Sequence, residues 1–145
     1  MSIYQKIIEL HTEAFERVYD ITSKIEEAVE ESRLKDGHCI VQALHTTASV
    51  FIQESEQYLK GDILRILNKI APKDGYYEHD NIQARNCPPD EPINGHSHIK
   101  ASLLGHSIAV GIKDYKLLLG KWQSILFSEF DGPRYRQYLI SIYGE

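Results

Sequence analysis

A chain of 145 residues holds one ordinary domain with its own core and is too short for an eight-stranded α/β barrel, which takes about 200 residues or more. An apolar content of 42% and a charged content of 26% fit a globular protein, and a net charge of -5 argues against broad nucleic-acid binding, which needs a basic footprint. Two cysteines outside any CxxC pair exclude a disulfide framework, while an N-terminal stretch without an apolar signal core and no run of 18 apolar residues predict a cytoplasmic chain without a membrane partner.

"SIYQKIIEL" opens as a strand rich in β-branched and aromatic residues, and "FERVYDIT" reads as a second. "SKIEEAVEESRLKDG" predicts a helix with Ser23 and Glu26 as a capping box, Ile25, Ala28 and Val29 on its apolar face, and Gly37 as its left-handed stop. "HCIVQALHTTASVFIQE" predicts one or two long strands with Cys39 buried in them. Leu59, Ile63, Ile66, Leu67 and Ile70 keep helical spacing over about residues 55–71, and Pro72 ends that helix by restricting Ala71.

Residues 72–94 follow, with Pro88, Pro89 and Pro92, and read as a long irregular loop of the kind that carries function. "HSHIKASLLG" predicts a short helix closed by Gly105. "SIAVGIK", "KLLLG", "KWQSILFSEF" and "YRQYLISIYG" are strand-like, with turns at Asp114-Tyr115 and at Asp131-Gly132, the latter a hairpin signal. The pattern predicts a single α+β domain over residues 1–145, built on antiparallel or mixed sheets with two main helices.

Three groups of residues could carry chemistry. His45, His79 and His98 are candidate ligands for a divalent ion, zinc or magnesium, with Asp80 or Glu54 orienting a ring. No HExxH or zinc-finger spacing supports this, and hydrogen-bonded loop histidines are the simpler alternative. Glu54, Asp62 and Glu129 flank apolar runs and are candidate acids or bases. The alternatives are an Asp62–Arg65 ion pair on a helix face and an outward position for Glu129 on an alternating strand. Thr46 and Thr47 in "HTTAS", with Lys100, Arg134 and Arg136, are candidate anion contacts. Cys87 lacks a fixed base, and no GxSxG elbow or P-loop is present.

"HTTASVFIQE", "YYEHD", "SHIKASLLGHS", "KLLLGKWQSI" and "SEFDGPRYR" together, in this order, resemble the motifs of the YjbQ-like family of secondary thiamine-phosphate synthases over nearly the whole chain. The resemblance implies a folded β-sheet core, a homotrimer with polar residues near the subunit boundary, and a weak activity joining a pyrimidine pyrophosphate to a thiazole phosphate with loss of pyrophosphate. It implies site roles for His45, Glu54, Asp62, His79, Asp80, His98, Glu129 and Arg134, and sets Trp122-Gln123 in a family motif; His96 has no counterpart.

Tyr115 stands where the family usually has Gly, at a cost of about 1 kcal/mol if positive φ is needed; Lys121 replaces a usual Thr or Pro, and the 82–93 loop is longer than in many members. The expectation is an enzyme acting on a small phosphorylated metabolite, with Lys100 and Arg134 on phosphate. The alternatives are a non-catalytic trimer that binds a metal or anion, and a metal-assisted phosphoester hydrolase.

Overall fold

The computed structural model describes residues 1–145. The elements run β1 (Ser2–His11), β2 (Arg17–Asp20), α1 (Thr22–Ser32), β3 (Gly37–Ala43), β4 (Ala48–Gln53), α2 (Gln57–Ile70), α3 (Gly95–Leu104), β5 (Ser107–Lys113), β6 (Lys116–Leu117), β7 (Ser124–Glu129) and β8 (Tyr135–Gly144). Between α2 and α3 the chain is irregular apart from single 3-10 turns at Glu78–Asp80 and Ile82–Ala84. No helix is long and apolar enough to cross a membrane.

Every strand pairing is antiparallel. The strands form a five-stranded sheet in the order β1-β8-β3-β5-β6 and a three-stranded sheet in the order β2-β7-β4. Strand alternation builds the core between them. Cys39, Val41 and Ala43 of β3 and Tyr138, Ile140 and Ile142 of β8 are buried together with Val50 of β4 and Ile125 and Phe127 of β7. Ile25, Ala28 and Val29 of α1 join the same cluster, so the predicted helix face is the buried one. A smaller cluster of Leu67, Ala101 and Phe130 ties α2 and α3 to the end of β7. Burial of Cys39 pushes its thiol up to about 12, which fits a structural residue and no nucleophile.

Three local expectations need correction. The Ser23–Glu26 capping box does not form: the N-cap of α1 is Ile21, two residues earlier, and Asp20 Oδ1 accepts from the Thr22 amide (3.0 Å) and hydroxyl (2.6 Å). That acceptor, supplied from β2, makes the box unnecessary. Arg33 at φ 56° stops the helix, where Gly37 was expected, and Gly37 instead starts β3. Asp131-Gly132 closes no hairpin, because β7 and β8 lie in different sheets and the segment between them crosses from one to the other.

The turn between β5 and β6 does use left-handed backbone, at Asp114 (φ 50°) and Tyr115 (φ 63°). The amides of both are held from outside, by Asp36 Oδ1 and the Lys35 carbonyl, which lets a tyrosine occupy this position.

Candidate functional site

One end of the sandwich carries polar side chains where the rest of its interior is apolar. On β8, period two puts Arg136 on the inward face with Tyr138, Ile140 and Ile142. On β7, Glu129 shares the inward face with Phe127. The two meet between the sheets as a buried, two-point pair: Arg136 Nε donates to Glu129 Oε2 at 2.7 Å and Nη2 to Oε1 at 2.5 Å. Thr12 Oγ1 also donates to Oε2 and the Asp131 amide to Oε1, so both carboxylate oxygens are satisfied. Arg136 Nη2 donates in addition to Thr47 Oγ1 at 2.8 Å. Glu129 is therefore neither an outward residue nor a free base; it fixes a guanidinium.

That guanidinium lines a polar cavity of about 430 Å³. Four segments form its wall: Leu44 to Thr47 after β3, the end of the long loop at Glu91 and Pro92, Asn94 and His98 at the start of α3, and Asp131, Arg134 and Arg136 around β8. His45, Thr46, Thr47, His98 and Arg134, all picked out from the sequence, come together here. Arg134 is steered by Asp131, whose carbonyl accepts from Nε at 2.7 Å and whose Oδ2 accepts from Nη2 at 2.9 Å. Asn94 Nδ2 donates to the same Oδ2, while Asn94 Oδ1 is buried without a partner. Two guanidiniums and two carboxylates, Glu91 and Asp131, leave the wall close to neutral.

His45 Nε2 accepts from the Gln137 backbone N–H at 2.8 Å, which leaves the proton of the neutral ring on Nδ1. Burial, then the nearby Arg136 guanidinium, holds the His45 pKa below the usual imidazole range. His98 is held low by burial and then by His79, whose ring meets it edge to face at 4.5 Å between centroids. His79 Nε2 is buried without a partner.

Within one chain the acceptor nitrogen of His45 is already engaged by the Gln137 amide. No group of three or more His, Cys, Asp or Glu is arranged to hold a metal ion.

The remaining predicted site residues lie outside the cavity wall. Lys100 is fully buried, its ammonium donating to Glu16 Oε1 (2.5 Å), Asn68 Oδ1 (2.7 Å) and His96 Nδ1 (3.1 Å); with all three donors engaged it holds no phosphate. Asp80 Oδ1 accepts from the Gly95 amide at the start of α3 at 2.8 Å. Asp62 is exposed on α2 and paired with Arg65 at 3.1 Å, as the plainer sequence reading had it. Glu54 sits just beyond β4, away from the cavity.

Glu91, Asn94 and Asp131 are not among the candidates the sequence offers, while Arg136 is among them as an anion contact and not as the buried partner of Glu129. Arg136 carried a usable signal: it falls on the apolar period of "RQYLISI". Asn94 and Asp131 meet only through the tertiary fold and gave none.

The family model described as "UPF0047 protein YjbQ-like" matches residues 6–145. A UPF0047 protein of Methanocaldococcus jannaschii is 38% identical over 138 residues, covering 94% of this chain and 92% of that one. One from Archaeoglobus fulgidus is 40% identical over 123 residues, covering 85% and 88%. A solved YjbQ-like structure from Sulfolobus solfataricus, described as of unknown function, superposes with a TM-score of 0.91 at 31% identity, covering 99% of each chain.

Proposed function

The chain belongs to the YjbQ-like UPF0047 family, and on that footing we propose that it is a small-metabolite enzyme whose reaction centre is the polar cavity at the end of the sandwich. The observation that carries this reading is the convergence of His45, Thr46, Thr47, His98 and Arg134 from separate segments on one cavity. Its substrate is a phosphorylated small molecule. Arg136 Nη1 has no hydrogen bond within the chain, and together with Arg134, the Thr46 hydroxyl and Nδ1–H of His45 it supplies donors for phosphate oxygens. The Glu129 carboxylate holds Arg136 in place, so the donors are preorganised toward developing charge on a leaving phosphate or pyrophosphate. His98, neutral near pH 7, is the proton carrier. No step is assigned to a metal ion.

The specific reaction to test first is the one the resemblance implies, thiamine phosphate formation with loss of pyrophosphate. The purified protein is expected to release pyrophosphate from the paired substrates, slowly, and His98→Ala to lose that release. Activity that is unchanged in His98→Ala sinks the assignment.

The assembly proposed is a homotrimer. Ile3 and Ile7 of β1 and Ile40 of β3 stand on the outer face of the five-stranded sheet, 64%, 54% and 38% exposed. These exposed apolar side chains, set around Gln5 and Ser141 on one sheet face, fit burial against further copies of the chain. Native mass spectrometry reads the assembly directly and reports any bound zinc or magnesium in the same spectrum.

A further inference from the structure

Arg134 stands just before β8 and Arg136 just inside it, so period two turns both guanidiniums to the side of the polar cavity. Opposite them, the register of β1 against β8, which pairs His11 with Tyr135, carries on to Thr12 and Arg134. The Thr12 amide donates to the Arg134 carbonyl at 2.9 Å, as in a regular antiparallel pair. The return bond is made by a side chain: the Arg134 amide donates to Thr12 Oγ1 at 2.8 Å. The segments pack closely here, since a Cβ on Gly132 would stand 2.3 Å from the Ala14 carbonyl oxygen and 3.0 Å from Thr12 Oγ1.

The Thr12 hydroxyl has one proton to give. Glu129 Oε2 lies 2.9 Å away and the Arg134 carbonyl 3.1 Å. That carbonyl already accepts from the Thr12 amide, and a carboxylate is the stronger acceptor, so the proton goes to Glu129. The same Oε2 accepts from Arg136 Nε at 2.7 Å. Hydrogen bonds therefore run without a break from the Arg136 guanidinium through Oε2 and Thr12 Oγ1 to the Arg134 backbone. Thr12 is buried and does not line the cavity. Resting on the reading of the polar cavity as the reaction centre, we infer that Thr12 is the positioning residue that sets the spacing of its two guanidiniums. Without the hydroxyl, Oε2 loses a donor and the Arg134 amide loses its acceptor, and the two arginines no longer share a support.

Titration of the intact protein with inorganic phosphate and with pyrophosphate measures that spacing, because one guanidinium can hold the first anion while the second anion can span both. Thr12→Val keeps the shape and removes the hydroxyl, and it is expected to reduce the preference for pyrophosphate over phosphate about fivefold or more. Thr12→Ser, which keeps the hydroxyl, is expected to hold the preference within about twofold of wild type. Val29→Ala, which opens the core beneath α1 away from this end, is expected to do the same while losing stability. NMR of the free wild-type protein is expected to show a slowly exchanging Thr12 hydroxyl proton close to the Arg136 Nε–H proton, a readout that needs no variant. A preference unchanged in Thr12→Val, an equal loss in Val29→Ala, or a Thr12 hydroxyl proton in rapid exchange with water overturns the inference. A wild type that shows this hydroxyl proton and binds neither anion would support the Thr12 tie between the arginines while sinking the reaction-centre reading.

Discussion

The amide of Gln137 donates to His45 Nε2, and this bond exists only while the ring is neutral. His45, His96 and His98 all have folded pKa values below the ordinary 6.5, each chiefly through burial. The sign follows from proton uptake. As pH falls through 6.5 the unfolded chain protonates these rings before the folded chain does, so unfolding becomes easier; above 6.5 neither state gains. The urea midpoint of the wild type should fall between pH 7.5 and pH 5.5, and His45→Gln, which keeps an acceptor for Gln137 without a titrating ring, should show a smaller fall. At the other extreme stands Asp62, whose exposed pair with Arg65 contributes little. Asp62→Ala should change stability by less than about 0.5 kcal/mol and leave turnover unchanged, whereas Arg134→Gln should weaken binding of a phosphorylated ligand about tenfold or more. Denaturant titration and calorimetry check the two halves of that contrast.

At the scale of strands and helices, the Glu129–Arg136 pair is the one polar tie between the inward faces of β7 and β8. Removing one partner strands a buried charge, so Glu129→Leu should cost about 3–5 kcal/mol. Arg136→Met in the same background should recover part of that loss while abolishing ligand binding, a separation that a double-mutant cycle measures. The start of α3 is equally constrained. Gly95→Ala would push a methyl into Tyr77 and the Asp80 carboxylate, and should destabilise by about 1–3 kcal/mol in thermal or urea unfolding.

Much of this level was legible in the chain. The apolar stripe of α2 and Pro72 gave a helix within two residues of its ends, and apolar runs rich in β-branched and aromatic residues gave β3, β4, β7 and β8. What failed did so because a partner distant in sequence won. Asp20 replaced the capping box of α1, and the crossing of sheets after Glu129 turned an apparent hairpin into a connection between layers. Lys100 looked like a phosphate contact because Glu16 and Asn68, far away in the chain, are the groups that enclose its ammonium.

The whole molecule places its main apolar core between two antiparallel sheets and gathers the buried polar side chains of that sandwich at one end. Which strand ends would meet there was not readable from spacing, and so Asn94 and Asp131 went unnoticed while His45, Thr46, Thr47, His98 and Arg134 were found by their chemistry. The outer face of the large sheet bears on assembly. Ile7→Glu combined with Ile40→Lys should convert the proposed trimer to monomer in native mass spectrometry without unfolding it, since both side chains are exposed in the single chain.

Residue-resolved NMR during titration with inorganic pyrophosphate tests the location of the reaction centre most directly. Amide shifts concentrated at residues 44–47, 94–98 and 131–136, lost in Arg134→Gln and retained in Asp62→Ala, are the predicted result. Shifts centred on Glu54 and Asp62, or a pyrophosphate response indifferent to Arg134, would contradict it.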